Sequence, residues 1–341
     1  MKAIILVGGE GTRMRPLTYA MPKQMLPIAG TPMLERVLAN LAAHGVDEAV
    51  MSLGYMPDRF LEAYPDGVIA GIRMTYAVEP ERLDTAGAIR FAALHGGIDD
   101  TFIVINGDVI TDLDVTRLLA FHRSHGAQAT IALHPVEDPS RFGVVVTDEQ
   151  GHVKSFVEKP SREEAPSNEI SAGTYIFEPS VVNLIEPDVS VSVERVTFPE
   201  LVSRGSLYAL ADDGYWLDTG TPQAYLDAHL DILSGLRPVQ LPPEVMDENW
   251  IHPDSTIAAS AHISRSCVDR ECVIGDGAVI VRSVLMPGAV VGDGAHLSDS
   301  IVGPHGRIGA RANLSSTTVV GAGESVEDDA VLVDARIGER R

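Results

Sequence analysis

Gly8-Gly9-Glu10-Gly11-Thr12-Arg13 stands directly behind a short apolar stretch, and its residue types suit the binding of phosphate. Glycines without a Cβ let backbone N–H groups close on phosphate oxygens, while Arg13 and Arg15 add positive charge. The loop is not a Walker loop, since no Lys-Ser/Thr follows, and the dinucleotide fingerprint fails where Met14 replaces the third glycine. Alone it reads as a phosphate loop or as a tight turn with surface arginines. Pro22-Lys23-Gln24 follows closely and offers a second fixed cation. A triphosphate held here needs a divalent cation, and carboxylate oxygen is the ligand magnesium takes. Asp108, in Asn106-Gly107-Asp108, ends an apolar run at residues 102–105, and open α/β sheets bind ligands at the carboxyl ends of their strands. Asp218 precedes the helix start Thr221-Pro222 and reads equally as a helix-entry turn. Glu158-Lys159-Pro160 ends another run; its charges suit a hydroxylated phosphate ester, or a solvated pair.

Elements that position these residues are legible in the alternation of apolar runs with helical patterns over residues 1–236. That alternation predicts a mostly parallel sheet covered by helices. Strands are expected at residues 3–7, 48–53, 73–78 and 102–105. Thr31-Pro32 is expected to supply an N-cap and a first-turn proline, with Gly45 as the stop. Further helices are expected from Asp114 to Gly126 and from Thr221-Pro222 to Gly235. Residues 129–176 read as strands joined by short turns, an antiparallel extension of the sheet. A proline-rich linker is expected at residues 237–250. Over residues 251–341 apolar residues recur six apart, as in Ile257/Ile263, Ile274/Ile280 and Val291/Leu297. Hexapeptide periodicity predicts a parallel β-helix, although several hexads are broken.

The charge balance narrows the partners. Twenty-six basic against 48 acidic residues give a net charge of -22, which repels nucleic acid at long range. Local cations still bind phosphate, because salt screens distant carboxylates beyond about 10 Å. Hydrophobic residues make up 45% of the 341, as in a folded globular chain. No run reaches the ~20 apolar residues of a membrane helix, and the first strand is too short for a signal-peptide core. Cys267 and Cys272 have neither metal-ligand spacing nor a disulfide framework. A cytoplasmic protein without membrane or nucleic-acid partners is expected.

Taken in order, the motifs resemble the sugar nucleotidyltransferase family, also called NDP-sugar pyrophosphorylases, and most closely its mannose-1-phosphate guanylyltransferase branch. They are LVGGEGTRMRPLT at residues 6–18, PKQMLP at 22–27, NGD at 106–108, FGVV at 142–145 and VEKP at 157–160. SAGTYIF at 171–177, SVERVTFPEL at 192–201 and YWLDTGTPQAYL at 215–226 complete the set. The resemblance implies a Rossmann-like domain with a mixed, mostly parallel sheet, followed by a C-terminal left-handed parallel β-helix that commonly mediates homo-oligomers. It implies that a sugar 1-phosphate oxygen attacks the α-phosphorus of a nucleoside triphosphate, releasing pyrophosphate. Catalysis then rests on in-line positioning and charge neutralisation. Carried over, Asp108 and Asp218 hold Mg2+, while Arg13 and Lys23 hold the triphosphate and the leaving pyrophosphate. The nucleotide is lined by Leu6, Gly8, Gly9, Gly11, Thr12, Arg13, Lys23, Asp84, Ala86, Gly87 and Asp108. Sugar-phosphate contacts fall to Gly143, Glu158, Lys159, Ser171 and Asp218.

Three positions depart from the branch. Gln24 stands where proline is usual, as in glucose-1-phosphate thymidylyltransferases. Leu83-Asp84-Thr85-Ala86-Gly87 carries Asp84 in place of glycine, and Ser171-Ala172-Gly173 carries Ser171 in place of asparagine. A carboxylate at Asp84 matches the N1 and N2 donors of guanine. A serine at 171 points to a modified or carbocyclic sugar phosphate, with Asn168 near enough to substitute for the missing amide. The expected substrates are GTP with mannose 1-phosphate or a related sugar phosphate; a thymidylyl-, uridylyl- or adenylyltransferase for glucose 1-phosphate is the alternative. A regulatory subunit that binds without turnover is opposed by the presence of Arg13, Lys23, Asp108, Lys159 and Asp218. An acyltransferase acting through His262, His296 or His305 is opposed by the lack of any acyl-carrier motif.

Overall fold

The computed structural model describes residues 1–237 and 245–338. They form two compact units that do not follow chain order: Met1–Gly9 with Leu34–Trp216, and Glu10–Met33 with Leu217 onward. The expected linker at 237–250 lies partly outside the described residues, at 238–244. Among the described residues no helix is long and apolar enough to cross a membrane.

The first unit is built on a ten-stranded mixed sheet. Its parallel centre runs Phe102–Asn106, Lys2–Leu6, Glu48–Leu53, Ile72–Val78, with Ala3 opposite both Ala49 and Ile103. Of these, Phe102–Asn106, Lys2–Leu6 and Glu48–Leu53 are buried along most of their length, which is why they read as apolar runs, whereas Ile72–Val78 alternates buried and exposed residues. After Lys2–Leu6 the chain steps to one side of the sheet for Glu48–Leu53 and Ile72–Val78, then crosses to the other for Phe102–Asn106. The topological switch point therefore lies between the carboxyl ends of Lys2–Leu6 and Phe102–Asn106. Gly8 and Asp108 follow those two ends.

The antiparallel extension is present. Glu169–Phe177 pairs antiparallel with Phe102–Asn106 and with Ala129–Pro135, and Gly143–Thr147 with Val153–Glu158 continues that side. Leu207–Ala211 closes the edge parallel to Ala129–Pro135. Between Ser171 and Tyr175 the register with Ala129–Pro135 shifts. Phe102, Tyr175, Phe177 and Phe198 pack ring to ring in the core behind the sheet. Helix Val115–His125 starts at Asp114, whose carboxylate accepts from Arg117 N, and stops at Gly126 with φ 57°, as capping rules require.

In the second unit, helix Pro222–Leu233 is capped by Thr221, which accepts from Ala224 N. The expectation for Thr31-Pro32 is overturned. Those residues form a short strand antiparallel to Pro27–Ile28, and the helix begins at Met33. Ala29 (φ 43°) and Gly30 (φ 74°) make the intervening turn, so both central residues are left-handed, as a two-residue hairpin prefers.

Residues 245–250 of the expected linker instead form an antiparallel hairpin, Val245–Met246 with Asn249–Ile251. From its second strand the chain winds into three stacks of parallel strands, the parallel β-helix the hexads predict, left-handed as the resemblance implies. Apolar ladders fill its interior: Ile274, Val291, Ile308 and Val326 on one face, Ile280, Leu297 and Leu314 on the second, Val268, Leu285, Val302 and Val320 on the third. Matched positions stand 17 residues apart in most coils and 18 in one. The broken hexads thus have a cause. One corner in each 17-residue coil is a residue short, and there Ser266 Oγ accepts from Ser283 N and Ser283 Oγ from Ser300 N, at 3.0 and 3.1 Å. Each serine also donates to the carbonyl two residues back, so a side chain closes the shortened turn.

Candidate active site

In the first unit, the strand ends at the switch point approach one another closely. Gly107 N donates to Leu6 O at 3.0 Å, setting Asp108 one residue beyond. A Cβ on Gly54 would stand 3.1 Å from Gly8 O, so the two glycines let adjacent strand ends meet. Gly9 differs: a Cβ there would meet nothing within 4 Å among the described residues. No packing demand accounts for glycine at position 9, which fits backbone kept bare for a ligand.

Beside them runs the segment 79–87. Glu79 accepts from Ser52 Oγ at 2.9 Å and from Leu83 N at 3.2 Å. Asp84 is exposed and left-handed (φ 57°), and one carboxylate oxygen accepts from Thr85 N at 2.7 Å. Aspartate is among the few side chains that tolerate this conformation, which explains how it stands where glycine is usual. Ala86 and Gly87 are buried, and both amides donate to Val191 O, at 2.8 and 3.2 Å. A Cβ on Gly87 would lie 2.8 Å from Val189 O, so this glycine admits neighbouring backbone.

The segment that presses on them is tied in turn. Thr85 Oγ1 donates to Glu194 Oε2 at 2.8 Å and accepts from Val193 N at 2.8 Å, and Ser192 Oγ donates to the same carboxylate oxygen at 2.7 Å. Glu194 lies in a π-helical turn, Val193–Thr197, a geometry that recurs at functional sites.

Glu158 and Lys159 form an ion pair of 3.0 Å, with the Glu158 side chain 17% and the Lys159 side chain 59% exposed. Lys159 is left-handed (φ 49°), and its N–H donates to Phe142 O. Gly143 pairs with Glu158, and a Cβ there would run into the Phe156 ring. Ser171 Oγ donates to the Tyr175 hydroxyl over a long 3.4 Å. Burial drives the Tyr175 hydroxyl far above its ordinary range, with the carboxylates of Glu194, Glu158 and Asp108 adding to it. The phenol stays protonated, and the three carboxylates share its surroundings. Trp216 Nε1 donates to Ala172 O at 2.9 Å, and its ring meets Phe142 and His134. Tyr175, Glu194, Thr85, Glu79 and Trp216 were absent from the expected site. Strand alternation gave one signal, since residues 171 and 175 fall in step.

In the second unit, the rest of the phosphate loop is a tight coil. Gly11 (φ 61°) offers its carbonyl to Thr18 Oγ1 at 2.9 Å and to Met14 N at 2.9 Å, which starts the 3-10 turn Thr12–Met14. A Cβ on Gly11 would stand 3.1 Å from Lys23 Cβ, so the glycine brings the buried Lys23 against the loop. Arg15 pairs with Glu10 at 3.1 Å and lies over the Tyr19 ring at 5.1 Å. Asp218 Oδ1 accepts from Gly220 N at 2.8 Å. A Cβ on Gly220 would stand 2.7 Å from Arg13 Nη2 and 2.8 Å from Asp218 Oδ1, so both charged groups flank one bare backbone position. Thr12 and Arg13 are exposed, whereas Gln24 is only 2% exposed with Oε1 buried and unpaired.

A family model described as nucleotidyl transferase matches residues 2–235. The chain belongs to that family. It is an enzyme of the nucleotidyltransferase class, and members of the family generally use a divalent metal. A second model, described as the GMPPB C-terminal domain, matches residues 245–339. Mannose-1-phosphate guanylyltransferase of Mycobacterium tuberculosis is 39% identical over 82% of this chain and 79% of its own. Mannose-1-phosphate guanylyltransferase 1 of Arabidopsis thaliana is 37% identical over 81% and 79%. Among solved structures, HddC from Yersinia pseudotuberculosis complexed with GMP-PN superimposes with a TM-score of 0.58 at 30% identity, over 67% of this chain and 97% of HddC.

Proposed function

We propose that this enzyme transfers a guanylyl group from GTP to mannose 1-phosphate or a related, including carbocyclic, sugar phosphate, giving an NDP-sugar and pyrophosphate. The observation that carries the reading is the placement of Gly8, Gly9 and Asp108 at the switch point of a nucleotidyl transferase sheet. The relatives, mannose-1-phosphate guanylyltransferases, support the choice of substrates. A phosphate oxygen of the sugar ester attacks the α-phosphorus as the bond to the β-phosphate breaks, so no protein nucleophile is required.

Roles are assigned residue by residue. Bare backbone at Gly8, Gly9 and Gly11, with Leu6 and Thr12, lines the nucleotide, and Arg13 and Lys23 neutralise the β- and γ-phosphates. The exposed side of Asp84 meets the N1 and N2 edge of guanine, while Ala86 and Gly87 shape the segment beneath it. Lys159 grips the sugar phosphate, and Glu158, Ser171 and the backbone at Gly143 receive sugar hydroxyls. Asp108 and Asp218 are half-buried carboxylates, hard oxygen donors of the type and number magnesium takes when substrate phosphates and water complete its shell. Among the described residues no group of three or more His, Cys, Asp or Glu is placed to hold a metal. Bound Mg2+ would neutralise phosphate charge at the reacting centre. We further propose a homo-oligomer assembled through the β-helix and a cytoplasmic location.

Pyrophosphate release with magnesium, measured for GTP, ATP, UTP and dTTP against mannose-, glucose- and cyclitol-phosphates, tests the reading. GTP with a manno-configured or carbocyclic phosphate is expected to turn over fastest. Release confined to dTTP and glucose 1-phosphate would refute it.

A further inference from the structure

The segment that carries Arg13 and Lys23 belongs to the same compact unit as the β-helix. Pro16 is buried three residues after Arg13. Across from it is Gly321, at the end of the coil strand Val319–Val320. A Cβ on Gly321 would stand 3.1 Å from Pro16 Cβ, 3.3 Å from Pro16 Cγ and 3.1 Å from Ile337 O. Gly321 has no left-handed φ, so its bareness is a matter of space. The matched position one coil earlier is Gly303, where the nearest atoms to an added Cβ are backbone of the next coil, at 2.9 Å.

The same coil reaches the other charged residue. Thr317 Oγ1 donates to Gln223 Oε1 at 2.5 Å, in the first turn of the helix capped by Thr221, three residues beyond Asp218. One coil therefore touches the chain on either side of the Arg13, Gly220 and Asp218 grouping. At the far end of the loop segment, Gly30 lies against the Trp250 ring and Ala29 N donates to His229 Nδ1 at 3.2 Å.

We propose that the coil from Thr317 to Gly321 is a bracket that sets Arg13 and Asp218 in position, with Gly321 and Thr317 as positioning residues for turnover of the triphosphate. This rests on the reading of the enzyme as a nucleotidyltransferase acting on a triphosphate. A side chain at 321 pushes Pro16, and Arg13 moves with it. A misplacement of about 1 Å can cost on the order of 10²-fold in rate, so a smaller shift of Arg13 is expected to cost about tenfold.

The test compares Gly321→Val with Gly303→Ala, each also combined with Pro16→Ala, in the full chain. Gly321→Val is expected to lower kcat/KM for the triphosphate about tenfold, with KM for the sugar phosphate within about twofold. Adding Pro16→Ala should return kcat/KM to that of Pro16→Ala alone. Gly303→Ala strains the coil and lowers Tm, but leaves kcat/KM per folded molecule unchanged. A second readout needs no turnover and keeps Pro16: trypsin should cut after Arg13 faster in Gly321→Val than in the wild type. Wild-type kinetics and wild-type cleavage in Gly321→Val would overturn the bracket, as would a loss that Gly303→Ala reproduces. If the wild type releases no pyrophosphate while the cleavage difference persists, the nucleotidyltransferase reading fails and the bracket stands.

Discussion

In the β-helix, left-handed residues recur at matched corners: Arg265, Arg282 and Asp299 at one, Gly277, Gly294 and Arg311 at another. In the sheet unit the left-handed residues other than glycine do not recur in register: Met56, Ala70 and Asp188 stand at turns away from the expected site, while Asp84 and Lys159 stand among the residues expected to meet substrate. A conformation that repeats with the coil belongs to the geometry of turning a coil. It is shared by neighbours and closed by the serine ladder. A conformation that occurs once, as beside Glu158 or at the head of the helix Asp84–His95, has no coil geometry to explain it and needs a local cause. The contrast extends to side chains. Coil corners pair their charges with the next coil, as Arg282 does with Asp299 at 2.7 Å. In the sheet unit the charges of Glu194, Glu158 and Asp108 instead act on one buried phenol, Tyr175, and add to the upward shift that burial gives it.

The largest effect should come from the singular side. Asp108→Asn is expected to lower kcat by about 10²–10³, the scale of removing a preorganised electrostatic group, with Tm unchanged. Arg282→Gly, which alters a repeated corner, should leave kcat within about twofold. Comparable losses in both, by pyrophosphate release, would erase the distinction. For stability the ranking reverses. Leu297 is 1% exposed inside the coil, and Leu297→Ala should cost about 2–5 kcal/mol by urea denaturation. Lys159→Ala, at an exposed strand end, should stay within about 0.5 kcal/mol while losing activity. A small loss at Leu297 would mean that the coils do not share one core.

Much of this was legible because the signals were local. Apolar runs gave the parallel strands, and Asp114 with Gly126 and Thr221 with Pro222 marked helix ends through their own side chains. Hexads gave the β-helix, and only the shortened corner escaped, because a serine closes it through the neighbouring coil and not through its own turn. Thr31-Pro32 misled since the turn at Ala29-Gly30, with two left-handed residues, made a hairpin from what local propensity read as a cap. On the site, charged residues at strand ends stood out. Glu194 and Thr85 did not, because their roles come from bonds spanning about a hundred residues of sequence, such as Thr85 to Glu194. Glu194→Gln tests that kind of residue. It should raise KM for the triphosphate about tenfold, roughly the worth of a charged hydrogen bond, with kcat little changed. A KM equal to wild type would reduce the network to scaffolding.

Asp84 is the finest test, because two explanations meet in one residue. Its left-handed backbone alone accounts for an aspartate there, and its carboxylate already accepts from Thr85 N. If that is its whole role, Asp84→Gly keeps the conformation without strain, Tm holds or rises slightly, and the preference for GTP over ATP stays as it was. If the exposed oxygen also meets guanine, Asp84→Gly and Asp84→Asn each weaken that preference, by about fivefold for a solvent-exposed charged hydrogen bond of ~1 kcal/mol. The fall should lie in KM for GTP, with ATP kinetics unmoved. We expect the second result, since a turn needs only φ, and glycine would supply it at no cost in side-chain charge. Equal GTP preference in wild type and both variants would leave Asp84 to its backbone and assign recognition of the base to other groups along the segment from Glu79 to Gly87.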